Sequence, residues 1–494
     1  MHHIKQFKYV FATIVALLAV LATTPVGQVQ ALTVVTVSGP SPYASCSNNS
    51  QTGTNYVNAE VEPWVAENPA SSSNLIGVSQ QDRWSNGGAH GLVAFSSFNG
   101  GTTWGETTLP FDACAPGTPS ALQYERASDP WVSIGPDGTA YAVSISFNNT
   151  NNNNAVAAAT STDGGKTWGN VRVIIADNEP NFQFFNDKES VTADPVHAGV
   201  AYAVWDRLEA PNGNPDANLH TRAFRGPTFF AKTTDGGNSW STPKIIVPFI
   251  ASNQQTIGNV IVVDPRNDTL YDFFDLIKPP ISPSPFNVAF IKSTNGGDTW
   301  TQPQIIANME TVFVSDPNTG QAIRTGDIIP EPAIDPATGQ LYVVWQDSRF
   351  NGHHFDEVAL STSTNGGSTW SAPIQVNTNT PPTRPGFTPM VHVNSDGTVG
   401  VTFYDFRNLT TQTTTLPTDH WFVKSTNHGA SFDSEVRITP TSFDMLTAPN
   451  AGGFFVGDYE GLDTSGTSFQ PFFVQANSGD TTNQTDVFTT TVTP

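Results

Sequence analysis

Five carboxylates recur at one position of a repeated strand pattern, where the first apolar strand of each repeat begins. We call these residues the acidic ring, and they are Glu62, Asp129, Glu189, Glu331 and Glu460. If the repeats bring these positions together, the like charges crowd, and the carboxylates must take up protons, pair with arginines or share a cation. Oxygen ligands of this kind suit calcium, so a bound cation such as Ca²⁺ is one alternative, although the chemistry requires no cofactor.

Arginines follow aspartates closely at the ends of the second strands of four repeats. The pairs are Asp82 with Arg83, Asp206 with Arg207, Asp347 with Arg349, and Asp405 with Arg407. One interpretation is a structural corner, in which each arginine forks onto a carboxylate of its own or a neighbouring repeat. The other is a clamp, in which Arg207, Arg349 and Arg407 converge on a substrate carboxylate. Second strands return to the face where first strands begin, so these pairs and the acidic ring are predicted to share one binding surface.

A repeated eight-residue box, Ser-x-Asn/Asp-Gly-Gly-x-Thr/Ser-Trp in its commonest form, punctuates the strands that must position these residues. Its copies, of which the last is degenerate, lie at residues 97–104, 161–168, 233–240, 293–300, 363–370 and 425–432. In each copy an Asn or Asp can hydrogen-bond the turn backbone and glycine accepts a positive φ, which predicts a hairpin turn. The closing aromatic residue is predicted to pack into the core. The copies recur about every 60 to 72 residues, a period that suits a β-propeller blade with long loops.

The predicted fold class is all-β, a seven-bladed β-propeller of four-stranded antiparallel blades in a single domain over residues 32–494. After the sixth box the pattern restarts at Gly457 but ends one strand short of a blade. An open blade edge is an aggregation hazard, so we expect the alternating segment 32–37 to supply the missing strand from the amino-terminal side. Six blades with appended strands are the alternative.

The boxes make the chain similar to the sialidase-like Asp-box, or BNR-repeat, propellers over almost all of residues 32–494. In that family the boxes lie on the face away from the active site. Its catalytic members place three arginines on the substrate carboxylate and use a tyrosine nucleophile that a glutamate activates. The catalytic residues that this resemblance implies are Arg207, Arg349, Arg407, Tyr404 or Tyr459, Glu460 and Glu331.

The chain departs from the family at one point. The early Arg-Ile-Pro segment has no counterpart, because the first blade begins Glu60-Val61-Glu62-Pro63. Two function classes therefore follow: a sialidase-like glycoside hydrolase that acts on glycans at the mouth of the channel, and a non-catalytic propeller that binds a glycan or an extracellular protein there. The binding candidates for both are Glu62, Asp129, Glu189, Asp206, Asp347 and Asp405.

The amino-terminal residues 1–31 have the features of a cleaved secretory signal peptide. Lys5 and Lys8 precede a short apolar run, and Ala31 ends a small-residue cleavage site. No later segment is apolar enough to span a membrane, so we expect a secreted, extracellular monomer. The net charge of −22 disfavours nucleic acid as a partner. Cys46 and Cys114 are predicted to form one disulfide in an oxidising compartment, with two free thiols as the alternative.

Overall fold

The structure, a computed structural model, describes residues 32–46, 51–178, 183–209, 225–248, 254–278, 285–378, 384–411 and 414–493. The predicted signal peptide, Met1–Ala31, lies outside these residues. Among the described residues, regular structure is almost entirely β-strand, with short 3-10 helices at Ser120–Leu122, Arg349–Asn351 and Met445–Thr447. No helix of this part of the chain has the length and apolar character needed to cross a membrane.

The strands follow one another along the chain with turns and loops between them. The first half contains β1 Val35–Thr36, β2 Asn55–Glu67, β3 Leu75–Trp84, β4 Ala89–Ser97, β5 Gly105–Thr108, β6 Arg126–Ile134, β7 Ala140–Phe147, β8 Asn154–Ser161, β9 Gly169–Asp177, β10 Phe184–Ala193, β11 Ala201–Glu209, β12 Arg225–Gly226, β13 Thr228–Thr233 and β14 Lys244–Val247. The second half contains β15 Gln254–Asp264, β16 Thr269–Ile277, β17 Asn287–Ser293, β18 Gln304–Asn308, β19 Ile323–Arg324, β20 Glu331–Ile334, β21 Leu341–Asp347, β22 Glu357–Ser363, β23 Ile374–Gln375, β24 Gly386–Val393, β25 Val399–Asp405, β26 Pro417–Ser425, β27 Val436–Arg437, β28 Phe443–Asp444, β29 Phe454–Phe455, β30 Gly461–Ser465, β31 Ser468–Ala476 and β32 Thr485–Thr489.

Most of the described strands form antiparallel meanders, which we call units 1 to 7. They are β2–β5, β6–β9, β10 with β11, β13 and β14, β15–β18, β20–β23, β24–β27, and β30–β32 with β1. Inner strands such as β7 are buried along their whole length, which explains their almost continuous apolar sequences.

The amino-terminal strand completes unit 7. Val35 pairs with Thr489 in antiparallel register, and the Val37 N–H donates to the Val487 carbonyl over 2.8 Å. The prediction that segment 32–37 pairs with the carboxyl-terminal strand is therefore confirmed. The first strands also contact one another in chain order, from β2 through β6, β10, β15, β20 and β24 to β30, and β30 contacts β2 again.

The hydrophobic core is divided into clusters that lie between neighbouring units. One of them joins Ile76 and Leu92 of unit 1 to Val132 and Ala142 of unit 2. A disulfide links Cys46 to Cys114 across 68 residues of sequence, which confirms the predicted bridge.

The six boxes form hairpin turns with one repeated hydrogen-bond pattern. In unit 4 the Ser293 hydroxyl donates to Asn295 Oδ1 over 2.9 Å and accepts from the Gly297 N–H over 2.9 Å. The Thr299 N–H donates to the same Asn295 oxygen over 3.0 Å. Trp300, which closes this box, is partly buried against the cluster between units 3 and 4. The closing aromatic thus packs at the edge of the core rather than deep inside it.

Candidate functional site

The first strands of five units each carry a bulge at which two residues oppose one on the second strand. The bulge pairs are Glu62–Pro63, Asp129–Pro130, Lys188–Glu189, Gly258–Asn259 and Thr388–Pro389. The first residue of every pair has a positive φ, between 48° and 72°. A positive φ is unfavourable for residues other than glycine, above all for a β-branched one such as Thr388. Bulges change the direction of side chains, and strained residues concentrate at functional sites. The repeated bulge therefore marks this part of the first strands as a candidate functional site.

The bulges correct the alignment of two units. The sequence pattern aligned Glu189 and Asn259 with Glu62, but the residues in the equivalent left-handed position are Lys188 and Gly258. The reason is that units 3 and 4 lack the proline that follows the bulge residue in the other three, so the pattern offered no marker for the extra residue. A lysine therefore occupies the position where the acidic ring was expected to place a carboxylate.

A cavity of about 380 Å³, which we call the central cavity, lies against three of these bulges, at Glu62, Asp129 and Lys188. Its charged lining residues are Glu62, Arg83, Asp129, Asp187, Lys188, Arg324, Asp327 and Asp458. Its apolar lining includes Ile145, Phe185, Ile257 and Phe313. Because the bulges lie towards the start of the first strands and the boxes follow the third strands, the cavity and the boxes belong to opposite ends of the units. A lining that combines apolar side chains with a few polar groups is typical of small-molecule sites.

Glu62 is a buried carboxyl of this cavity that the sequence singled out. Its side chain accepts a hydrogen bond from Gln80 Nε2, and Arg83 Nη1 donates to the oxygen of the same amide over 2.6 Å. Burial first, then the charges of Asp129 and Asp458, raise the pKa of Glu62 well above its ordinary value. The surroundings of Glu62 therefore favour the protonated form of its carboxyl.

Aromatic rings form a floor beneath the Lys188 side chain, which itself lines the cavity. Trp64 stacks on Trp131 with their centroids 3.5 Å apart, and Tyr459 lies 5.2 Å from Trp131. The Lys188 ammonium lies 3.3 Å from the Tyr459 ring centroid, and among the described residues it has no hydrogen-bond acceptor. A buried ammonium with three unused donors is costly, and a ligand oxygen would satisfy it.

Two further carboxylates of the acidic ring are buried with both oxygens lacking a hydrogen-bond partner among the described residues. These are Glu189 and Glu331. Burial, followed by the charge of Asp129, raises the pKa of Glu189. Burial raises the pKa of Glu331 to about 8, with Lys188 opposing the shift and Glu460 adding to it. The ring thus shares one electrostatic environment, although only Glu62 and Asp129 of its members line the central cavity.

Glu460 and the two candidate tyrosines lie in the packed interior. Glu460 Oε1 is 2.7 Å from His420 Nε2 and accepts from the Thr402 hydroxyl over 2.8 Å. The Tyr404 hydroxyl donates to the Val474 carbonyl over 2.9 Å. Burial, then the Glu460 charge, raises the pKa of Tyr404 well above its ordinary value, which opposes its action as a nucleophile.

Tyr459 donates to a backbone carbonyl as well. Its hydroxyl is 3.3 Å from the Pro130 oxygen, and burial raises its pKa. Tyr459 therefore belongs to the aromatic floor, with its ring rather than its hydroxyl turned towards Lys188.

The three arginines of the expected clamp lie in separate corners, each paired with a carboxylate. Arg207 forks onto Asp177 of the preceding unit, at 2.8 Å from its Nε, rather than onto Asp206. Arg349 forks onto Asp347, with Nε 2.7 Å from the carboxylate. Arg407 pairs with Asp405 and Glu435. None of these three arginines lines the central cavity, and each already uses its guanidinium donors on a carboxylate.

The corner aspartates are buried and fix strand ends. Asp206 accepts from Thr256 Oγ1 over 2.6 Å and from Asn259 Nδ2 over 2.7 Å, so it ties unit 3 to the bulge of unit 4. Asp347 and Asp405 accept indole N–H groups from Trp345 and Trp421 over 2.7 and 2.9 Å.

The cavity is also lined by residues that were not among the site candidates from the sequence. Arg324 lies on β19, which pairs in parallel with β29, and its Nη2 is 2.6 Å from Asp458 Oδ2. No repeat signal marks Arg324, because it belongs to the long connection between units 4 and 5. Arg83 follows Asp82 in the same kind of corner sequence as the other arginines, and Lys188 precedes Glu189, so both had a local signal.

Metal ligands do not converge at the acidic ring in the part of the chain that the structure describes. The three His, Cys, Asp or Glu side chains close enough to share one ion there are Cys46, His90 and Cys114. The two cysteines are joined to each other as the disulfide. A calcium ion at the acidic ring is thus not built from three protein carboxylates already in reach of one another.

Several solved structures resemble the chain at low identity. A protein of unknown function from Dyadobacter fermentans is 12% identical, with 89% of this chain and 96% of that chain covered and a TM-score of 0.46. The Penicillium chrysogenum α-L-arabinanase complexed with arabinobiose is 10% identical, with 89% and 98% covered and a TM-score of 0.44. The Hadza microbial sialidase Hz136 is 14% identical, with 86% and 74% covered and a TM-score of 0.44. No family model and no curated protein matches the chain.

Proposed function

We propose that units 1 to 7 are the blades of a seven-bladed, sialidase-like Asp-box propeller, that residues 32–494 form one secreted domain, and that this domain acts on glycans in its central cavity. The closed order of contacts among the first strands and the completion of unit 7 by β1 support the blade count. The recurrence of one hydrogen-bonded box turn supports the Asp-box assignment.

The proposed reaction is hydrolysis of a glycosidic bond with Glu62 as the general acid. The observation that carries this proposal is that Glu62 and Asp129 occupy equivalent strained bulges of neighbouring units and line the same cavity. Glycoside hydrolysis requires one protonated and one ionised carboxyl group, and we assign these states to Glu62 and Asp129. Glu62 gives its proton to the leaving glycosidic oxygen as the C–O bond breaks, and the Asp129 carboxylate stabilises the positive charge that develops on the sugar. Water then adds to the anomeric carbon and returns a proton to Glu62, which restores both carboxyl groups.

The surrounding polar groups would hold this pair in place. Gln80 bridges Glu62 and Ser128, with 3.0 Å to the Ser128 hydroxyl, and Arg83 fixes the orientation of the amide. The ion pair between Arg324 and Asp458 joins two long connections beside the cavity. Lys188 offers its free donors to the hydroxyl oxygens of a sugar.

The second candidate is a propeller that binds a glycan or an extracellular protein in the same cavity without chemistry. The pairing of Arg207, Arg349 and Arg407 within their own corners favours this candidate over a sialidase-type clamp. The hydrogen bonds of the Tyr404 and Tyr459 hydroxyls to carbonyl groups favour it for the same reason.

Turnover of a panel of fluorogenic glycosides, including a sialoside, an arabinofuranoside and neutral pyranosides, tests the proposed reaction. We expect wild type to hydrolyse at least one of them and Glu62→Gln to lose about 10²- to 10⁴-fold in kcat. Glu67→Gln is the matched control, since Glu67 lies on the same strand and accepts from Thr464 rather than lining the cavity. Equal turnover by wild type and Glu62→Gln contradicts the assignment, and binding of the same glycans without turnover favours the second candidate.

The proposed chemistry uses side chains alone, and a cation would act as a neutraliser of the acidic ring rather than as a reactant. Thermal melting in Ca²⁺ and in a chelator tests for such a cation, because a cation bound at the acidic ring raises the melting temperature in Ca²⁺. We propose that the secreted protein is a monomer, which sedimentation measures directly.

A further inference from the structure

An aromatic side chain stands exposed at the edge of the central cavity. Phe313 lines the cavity, and 51% of its surface is exposed to solvent. The neighbouring Val312 is 40% exposed, so the tip of this connection presents apolar surface beside a strongly charged lining. A single exposed apolar residue is common on protein surfaces, but this one also lines a cavity, where aromatic side chains supply contact surface for ligands.

The backbone holds Phe313 in this position at a cost. Its φ is 63°, a left-handed value that a bulky residue rarely adopts. Such strain persists only where the surrounding structure enforces it, and it is concentrated at binding and catalytic sites.

Hydrogen bonds at and before Phe313, and burial of the residue after it, enforce this backbone conformation. The Val312 N–H donates to Asp356 Oδ1 over 2.9 Å, and the Thr311 hydroxyl donates to Asp356 Oδ2 over 2.6 Å. The Phe313 N–H donates to Thr311 Oγ1 over 3.1 Å, and Val314 is buried in the core. Phe286 contacts the ring edge-on at 6.1 Å between centroids and leaves the other surface of Phe313 open to solvent. The ring is thus preorganised rather than mobile.

We infer that Phe313 is a stacking platform for a second sugar ring, so that the ligand is an oligosaccharide that extends out of the cavity over this residue. The inference rests on the proposed function. A sugar ring has a hydroxyl-bearing edge and an apolar face of C–H groups, and the apolar face packs on an aromatic ring. Phe313 lines the same cavity as Glu62, Lys188 and Arg83, but its side chain is half exposed whereas theirs are buried, so we place it under the part of the ligand that extends towards solvent.

The test measures the affinity of variants at Phe313 for oligosaccharides of increasing length. Arabino-, xylo-, cello- and sialo-oligosaccharides of one to four units are titrated by calorimetry against the Glu62→Gln protein, alone and with Phe313→Ala. We expect Phe313→Ala to weaken binding of ligands of two or more units by about three- to tenfold and to leave single sugars unchanged. Phe313→Trp should retain the affinity and shift its fluorescence to shorter wavelength when an extended ligand binds.

Phe98→Ala is the matched control, because Phe98 is 45% exposed but lies in the box turn of unit 1, where Lys166 covers its ring at 4.2 Å. Equal affinity of the parent and Phe313→Ala for every length overturns the inference and leaves the proposed function intact. An equal loss for single sugars also overturns it, since Phe313 would then act on the first sugar. If the parent binds no member of the series, the proposed function fails together with the inference.

Discussion

The box turns and the acidic ring are both repeated features of this chain, but they differ in how their polar groups are satisfied. In every box the side chain of one Asn or Asp bonds the hydroxyl and the N–H of its own turn. In the ring, by contrast, both oxygens of Glu189 and Glu331 and the ammonium of Lys188 have no hydrogen-bond partner among the described residues.

The difference separates structural repetition from function. A turn that satisfies its own polar groups can be copied from unit to unit, since it needs nothing from the rest of the chain. Buried polar groups without partners destabilise a fold, so they persist where another molecule satisfies them. The centre of the ring is therefore the region to test for ligands, and the boxes are the region to test for stability.

The largest expected effect is on the corners, which the comparison assigns to structure. Arg407→Ala removes the partner of Asp405 and Glu435, whose side chains are almost fully buried. Breaking a buried ion pair from one side should lower the free energy of unfolding by about 3 to 5 kcal/mol. Urea unfolding measures this, and Arg172→Ala, which removes an exposed arginine bonded to carbonyls, should change it by less than about 0.5 kcal/mol. If the Arg407→Ala protein is folded but loses affinity for glycans, Arg407 belongs to the binding site and the purely structural assignment of this corner is wrong.

A somewhat smaller loss is expected in the boxes. Trp300→Ala removes the contact with Phe230, 5.5 Å between centroids, and should lower the free energy of unfolding by about 3 kcal/mol through the cavity left behind. Trp370→Ala should give a similar value, since Trp370 packs against Phe273 and Phe290 at 5.9 and 5.6 Å between centroids. Ligand affinity of the folded variants, measured by calorimetry, should equal that of wild type. Lost affinity with an intact fold counts against a purely structural role.

In the ring, by contrast, removing a charge should stabilise the protein. The pKa of Glu331 rises from 4.5 to about 8 on folding, so the folded protein keeps a proton that the unfolded chain releases. The contribution of this proton to the free energy of unfolding is complete below about pH 4.5 and is lost as the pH rises through about 8. Glu331→Gln should match wild type near pH 4 and exceed it by about 4 kcal/mol near pH 9, measured by urea unfolding. A difference that does not grow with pH would show that another group holds the proton.

The smallest effect on stability is expected at Lys188. Lys188→Met removes the unsatisfied ammonium and keeps an unbranched side chain against Tyr459, so the free energy of unfolding should change by less than about 1 kcal/mol. If the proposed function holds, affinity for glycans that bind to wild type should fall when measured by calorimetry, because the ammonium donors are gone. Destabilisation by several kcal/mol with unchanged affinity would place Lys188 with the structural residues and weaken the contrast between the two regions.

The features that the sequence predicted correctly had a signal that could be recognised along the chain. The box turns are local units, in which hydrogen bonds join residues four positions apart. Pairing of β1 with β32 and the Cys46–Cys114 bridge are long-range, but each follows from an unpaired group that had one obvious partner.

By itself, the sequence determined the all-β character, the recurring box turn and the clustering of carboxylates at the starts of the first strands. Only the tertiary structure decided that Lys188 rather than Glu189 occupies a bulge, that Arg207 pairs with Asp177, and that Arg324 reaches the central cavity. A bulge shifts every later side chain to the other face of its strand, and this shift is set by pairing with another strand. The partners of the arginines and the contents of the cavity depend on distances between units, which no local pattern of residues records.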